Sequence, residues 1–212
     1  MTLQTRGIDV SHYQGMVQWR SVAGSGMAFC FIKATQGIAF VDPYFQTNWS
    51  GSEAAGLLRG AYHFGQASTD ATAQAQFFYD TVRADATLGP QDLPPVLDLE
   101  TLDGQSPEDT LQWTLQFLAR TDALFGRQTV LYTDAGFWQQ LCALPGCEVL
   151  ASRPLWLAAY SATPRIPPPW NAWTFWQYSD GTSNGGTPVP GVTGPVDQDW
   201  FAGSVTQLAA LA

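Results

Sequence analysis

The stretch Leu93-Pro94-Pro95-Val96-Leu97-Asp98-Leu99-Glu100 decides how the rest of the chain is read. It is a short apolar run that ends in two carboxylates. A β-strand alternates its faces with a period of two, so Asp98 and Glu100 point to one side, with Cα atoms about 6.5 Å apart, while Leu97 and Leu99 point to the other. Two acids on one face of an apolar strand repel each other and lose hydration together, so one of them resists ionisation. A carboxylic acid that keeps its proton near neutral pH is what general acid catalysis requires. Asp-x-Glu alone is common on surface strands, and its weight here comes from the segments around it.

Outward from this strand, apolar runs alternate with helix signals. Upstream, strands are expected at Gly7 to Val10, Met27 to Ala34 and Leu58 to His63; the second is apolar almost throughout, as a strand covered on both faces should be. A short helix is expected from Val17 to Ala23. Asp42-Pro43 opens another, with Asp as N-cap and Pro at the first helical position, which runs to Ala55 and stops at Gly56. A third begins near Thr72 and repeats apolar residues at helical spacing through Ala75, Phe78, Tyr79 and Val82. Downstream, Ser106-Pro107-Glu108-Asp109 combines an N-cap, a proline and two acids at the positive end of the helix dipole, and Leu111, Leu115 and Leu118 give that helix its buried stripe. A strand follows from Thr129 to Thr133, and Asp134 caps a helix to Leu141.

The alternation then stops. Leu155 to Tyr160, Thr174 to Tyr178 and Pro195 to Asp199 read as strands, but proline- and glycine-rich segments join them. Ser204 to Ala212 reads as a short closing helix. Eight strands, five of them followed by helices, predict an α/β fold of irregular TIM-like barrel type, (β/α)5(β)3, in one domain over residues 1–212.

Composition agrees with a large apolar interior, since charged residues make up only 13% and aromatics as much as 13%. The net charge of −9 supplies no phosphate-binding field and argues against a nucleic-acid partner. Lys33 is the only lysine. No apolar run is long enough to insert in a membrane, and Met1 to Arg6 is too short and polar for a signal peptide, so export by another route or removal of a leader is expected. Cys30 sits in an apolar run as an inert buried thiol, whereas the turn between Cys142 and Cys147 leaves a disulfide there open. No Cys/His spacing matches a metal site, and no cofactor is expected.

In a β/α barrel the working face lies at the C-terminal ends of the strands. Asp9 falls near the end of the first strand, Asp98 and Glu100 end the fourth, and Asp197 falls near the end of the eighth. Four acids from three strands thus converge on one mouth. Tyr13, Tyr62, Phe64, Tyr132, Trp156, Tyr160, Trp176 and Tyr178 fall at the same ends. Acids on a floor and rings on the walls suit a sugar polymer, whose C–H faces stack on aromatics. His12 and His63 are read as structural hydrogen-bonding groups.

Gly7-Ile8-Asp9-Val10-Ser11, Lys33-Ala34-Thr35, Gly60-Ala61-Tyr62-His63-Phe64, Asp98-Leu99-Glu100, Trp156-Leu157-Ala158-Ala159-Tyr160, Trp176-Gln177-Tyr178 and Val196-Asp197 together resemble glycoside hydrolase family 25, the Chalaropsis-type lysozymes or N-acetylmuramidases. The resemblance implies a monomeric enzyme that acts at the cell wall, in an extracellular or periplasmic setting, on the β-1,4 bond between N-acetylmuramic acid and N-acetylglucosamine of peptidoglycan. It implies Glu100 as general acid/base, Asp98 as its close partner, Asp9 and Asp197 as flanking acids, and Tyr62, Phe64, Tyr132, Trp156, Tyr160 and Gln177 as groove-lining residues. Both routes it allows retain configuration: attack by Asp98, or attack by the substrate's own acetamido oxygen with Asp98 as stabiliser. The parallel side chains of Asp-x-Glu favour the second. Gln36 stands where the family commonly has glutamate, and Asp199 where it commonly has asparagine. Two other readings are a barrel that holds the glycan without cutting it and a chitinase; the second wants further aspartates upstream of Asp98, where Val96 and Pro94 stand.

Overall fold

The computed structural model describes residues 4–85, Gly89 and 92–212; Met1 to Leu3, half of the stretch judged too short for a signal peptide, lie outside the described residues. β1 (Thr5–Val10) leads through a 3-10 turn at His12–Gln14 and α1 (Trp19–Gly24) to β2 (Phe29–Gln36). β3 (Phe40–Val41) folds back on β2, and α2 (Phe45–Ala54) leads to β4 (Leu58–Phe64). Then come α3 (Ala71–Asp85), β5 (Val96–Asp98), α4 (Pro107–Phe125), β6 (Val130–Asp134) and α5 (Ala135–Trp138). β7 (Leu155–Ala158), β8 (Phe175–Ser179) and β9 (Asp197–Phe201) follow with irregular connections, and α6 (Val205–Ala209) comes last.

Eight strands close a barrel in the order β1, β2, β4, β5, β6, β7, β8, β9 and back to β1, while β3 hangs outside on β2. Neighbours from β1 through β8 run parallel. β9 alone runs against both of its neighbours in the barrel. The irregular α/β barrel expected from the alternation is the fold observed; the two-residue β3 was not anticipated.

Period-two alternation divides the barrel's side chains into two cores. Outward residues such as Ile8, Cys30, Ile32, Leu97, Leu131 and Leu155 pack against Phe78, Phe117 and Trp138 of the surrounding helices. Inward residues include Phe29, Phe31, Val96, Val130, Phe175 and Phe201. Phe31 stands 5.0 Å from the Phe175 ring and 4.4 Å from that of Trp156. Burying each such ring contributes about 1.5–3 kcal/mol. Room for them comes from glycine: a Cβ on Gly7 would lie 2.4 Å from the Phe29 ring, and one on Gly60 2.5 Å from that of Phe31. Leu208 of α6 joins this inner cluster and closes the end of the barrel where β9 finishes.

Several boundaries moved. β5 ends at Asp98, so Glu100 lies two residues past the strand, although the Leu99 amide still donates to the Tyr132 carbonyl at 3.0 Å and keeps the chain on course. α2 begins at Phe45, because Asp42 is taken by other donors: the Tyr44 amide on Oδ1 and the His12 amide on Oδ2. α5 stops at Trp138 rather than Leu141, and turns lead on to a 3-10 segment at Cys147–Ser152. Ser106 caps α4 as expected, accepting from the Asp109 amide. Cys30, Cys142 and Cys147 are all free thiols, so no bridge joins the last two. Among the described residues no helix is long and apolar enough to cross a membrane.

Candidate active site

The acids meet at the mouth where β1, β2 and β4 to β8 end. Asp9, Asp98, Glu100 and Asp197 all line one cavity of about 190 Å³. Tyr62, Phe64, Tyr132, Trp156 and Gln177 line it too. Asp98 is buried at 7% exposure, whereas Glu100 is exposed on the rim. Tyr160 is set apart: with Glu100, Tyr132 and Asp134 it lines an adjoining hollow of about 360 Å³. A third hollow, of about 400 Å³, adjoins the first at Tyr13. The central cavity therefore opens on both sides into one trough.

Asp197 reaches this place by a route that the alternation of strands did not foresee. It was expected near the end of a parallel strand, but it is the first residue of β9. Because β8 ends at the mouth and β9 runs the other way, the start of β9 lies at the mouth, with Asp197 opposite Asp9 in the register. The shift of the strand by two residues, from Pro195 to Asp197, keeps every side chain on its expected face.

Electrostatics follow from burial. Asp9, Asp98 and Asp199 are held well above the ordinary carboxylate range, in each case first by loss of hydration. Asp197 is pushed up to about 6, first by burial and then by Asp180 and Glu100. Glu100 is also raised, first by partial loss of hydration, and its charge raises Asp98 further. Each therefore holds its proton more tightly than it would in water. Asp98 Oδ1 has no hydrogen-bond partner among the described residues.

A polar network fixes the floor. Gln177 Nε2 donates to Asp9 Oδ2 at 2.8 Å, and the Tyr132 and Tyr160 hydroxyls each donate to Gln177 Oε1 at 2.9 Å. The three donors leave Gln177 one orientation and so fix the rings of both tyrosines. Trp156 Nε1 donates to Asp199 Oδ1 at 2.8 Å, which fixes the indole where it lines the cavity. His63 is fully buried between Thr35 and Gln74 at 2.8 and 3.0 Å, and burial pushes its pKa down to about 4, so it is a neutral structural group. His12 donates from its backbone and places its ring nitrogen 2.9 Å from Asp42.

Pattern reading missed two features of the site. Lys33 lines the cavity and, among the described residues, is the only cation to do so. Its signal was its isolation, a single lysine inside an apolar strand. Ser11 and Gln14 also line the cavity, from a turn whose capping box only the coordinates reveal.

A barrel whose mouth is an open trough, with acids on its floor and aromatic rings on its walls, is the architecture of a glycoside hydrolase. Residues 8–187 match the family model for glycosyl hydrolases family 25, and the chain belongs to that family. It is 38% identical to Lysozyme M1 of Streptomyces globisporus over all of this chain and 72% of that protein. It is 31% identical to the N,O-diacetylmuramidase of Chalaropsis sp, over 98% of each chain. Among solved structures, the bacterial lysozyme of Streptomyces coelicolor superposes with a TM-score of 0.87 at 35% identity, covering 100% of this chain and 98% of that one.

Proposed function

We propose that this protein is a muramidase that hydrolyses the β-1,4 bond between N-acetylmuramic acid and N-acetylglucosamine in bacterial peptidoglycan, with Glu100 as general acid/base, Asp98 as its partner and Asp9 and Asp197 as flanking acids. The observation that carries the reading is the convergence of Asp98, Glu100, Asp9 and Asp197 on one cavity at an open trough, in a chain of this family. Its relatives named as lysozymes and muramidases supply the substrate class.

The pair also favours one of the two retaining routes. A nucleophile and an acid that flank a glycosidic bond stand about 5–5.5 Å apart. Asp98 and Glu100 stand two residues apart on one segment and so are poorly placed to flank the bond from opposite sides. In the route favoured here, Glu100 gives its proton to the glycosidic oxygen while the acetamido oxygen of the muramic acid attacks its own anomeric carbon. The carbon–oxygen bond breaks and a cyclic oxazolinium forms. Asp98, with a buried and unpartnered Oδ1, accepts from the acetamido N–H and balances the positive charge. Glu100, now ionised, takes a proton from water as the water opens the ring, and the configuration is retained. Tyr62, Phe64, Tyr132, Trp156 and Gln177 hold the sugar in the central cavity, and Tyr160 holds the chain beside it.

The products test the reading. Digestion of purified cell walls should liberate glycan fragments whose new reducing ends are muramic acid, with chitin left uncut. New reducing ends on glucosamine, or binding to walls with no new ends, would refute it. We further infer that the wall, outside the cytoplasm, is where the enzyme works, and that it works as a single copy, since Asp9, Asp98, Glu100 and Asp197 of one chain already meet at one cavity.

A further inference from the structure

Lys33 is the only lysine in the chain and, among the described residues, the only cation lining the central cavity. It leaves β2 on the inner face and is 7% exposed. An ammonium group has three donors. One donates to Gln36 Oε1 at 2.8 Å. The charge otherwise rests on two ring faces, 4.9 Å from the centre of Phe64 and 5.8 Å from that of Phe40. Among the described residues no carboxylate comes within 4.0 Å of it. Gln36 is neutral, so the bond that holds the ammonium leaves its charge uncancelled.

The position is as informative as the charge. Phe64 lines the central cavity, whereas Phe40 and Gln36 line the adjoining hollow with His12 and Ile38. Lys33 therefore stands at the seam between the sugar that would be cut and whatever hangs from it toward β3. We propose that Lys33, held by Gln36 between the two rings, binds a carboxylate carried as a substituent on the sugar in the central cavity, and that this contact makes the groove prefer acid-bearing sugars to neutral N-acetylhexosamines.

Elsewhere the mouth repels an anion, since Asp9, Asp98, Glu100 and Asp197 surround the cavity in a chain of net charge −9. A partly dehydrated ammonium with unused donors is the one place where a carboxylate forms a charge-assisted hydrogen bond. The groups that face Lys33 are Asp98 and Glu100 from the end of β5, Asp42 after β3, and neutral His63 on β4. Burial lowers the Lys33 pKa, and the three acids oppose that and favour its charged form.

The inference rests on the muramidase reading and names the substituent it recognises. The carboxylate has two sources: the lactyl ether of a muramic acid without peptide, or an acidic residue of an attached peptide. Calorimetry with the disaccharide of N-acetylglucosamine and muramic acid separates them. Three forms are compared: the free lactyl acid, its carboxamide, and the lactyl group joined to alanyl-glutamate. The protein should bind at least one acid-bearing form about tenfold more tightly than the carboxamide, the worth of one such bond. Lys33→Met should abolish that ratio, and Gln36→Glu, which sets a carboxylate on the ammonium, should remove most of it. Whichever acid form is preferred identifies the source, and either supports the proposal. Equal binding of acid and carboxamide, no binding of any form, or a ratio that survives Lys33→Met would overturn it. Wall cleavage measured in parallel keeps the two ideas apart: a protein that cuts walls without an acid preference loses this inference alone.

Discussion

The lower and upper halves of the barrel interior are lined by the same strands and filled with opposite chemistry. Below, Phe29, Phe31, Phe175 and Phe201 pack ring against ring in space left by Gly7 and Gly60. Above, two residues further along the same alternation, stand Asp9, Lys33, Tyr62 and Asp98. Tyr132 and Trp156 form the boundary, with apolar faces turned down and polar atoms turned to Gln177 and Asp199. The lower half gains from leaving water. In the upper half the same loss of water works against every ionised acid. The difference teaches how the site is held: an aromatic plug stabilises the barrel, and the mouth draws on that stability to hold acids that resist ionisation.

The largest effect on stability should come from emptying the plug. Phe31→Ala removes the ring that touches both Phe175 and Trp156, and should cost about 3–5 kcal/mol in denaturant unfolding at pH 5 and pH 8 alike. A smaller loss, about 1–3 kcal/mol, is expected for Gly60→Ala, whose new methyl meets the Phe31 ring at 2.5 Å. An unchanged midpoint for either would mean that the plug is looser than the coordinates show.

The mouth should respond in the opposite sense, and with pH. A carboxyl with a raised pKa in the folded state binds its proton more tightly there than in the unfolded chain. Stability is then greatest below the ordinary carboxylate range and is lost as pH rises through the raised value. For Asp197 this window runs from 3.8 to about 6; Asp9, Asp98 and Asp199 are shifted in the same direction and lose stability in the same sense as pH rises. The melting temperature should therefore fall between pH 5 and pH 8. Asp199→Asn keeps the acceptor for Trp156 and removes one such group, so it should raise the melting temperature at pH 8 by a few degrees and leave it nearly unchanged at pH 4. A variant less stable at pH 8 would show that Asp199 is held ionised.

Smallest in free energy, but most specific to catalysis, is the effect of Lys33 on the acids. It is the one cation that favours ionisation of both Asp98 and Glu100. In Lys33→Met the alkaline limb of the kcat/KM profile should move to higher pH. A limb that stays in place would separate Lys33 from the titration of Asp98 and Glu100.

Much of this organisation was legible in the sequence because it follows local rules. Alternation placed Leu97 and Leu99 in the outer core and Asp98 toward the cavity, and Ser106 caps its helix from a four-residue signature. What was not legible depends on partners far along the chain. The reversal of β9 is set by pairing with β1 and β8, so Asp197 lay at the right mouth for a reason other than strand direction. Asp42 read as a helix cap because its local pattern fits one, yet a residue 30 positions away claims its oxygen. The Gln177 network joins residues 168 and 45 positions apart, which no periodicity reveals.

The central claim is that Glu100, on the rim of the trough beside Asp98, delivers the proton that breaks the glycosidic bond. Glu100→Gln keeps the size and hydrogen-bonding shape of the side chain and removes the transferable proton. Cleavage of purified cell walls by this variant, with folding verified by its melting curve, should fall by about three orders of magnitude or more, since it loses both the acid and the base step. A folded variant that still clears walls at a rate near that of the parent protein would contradict the account.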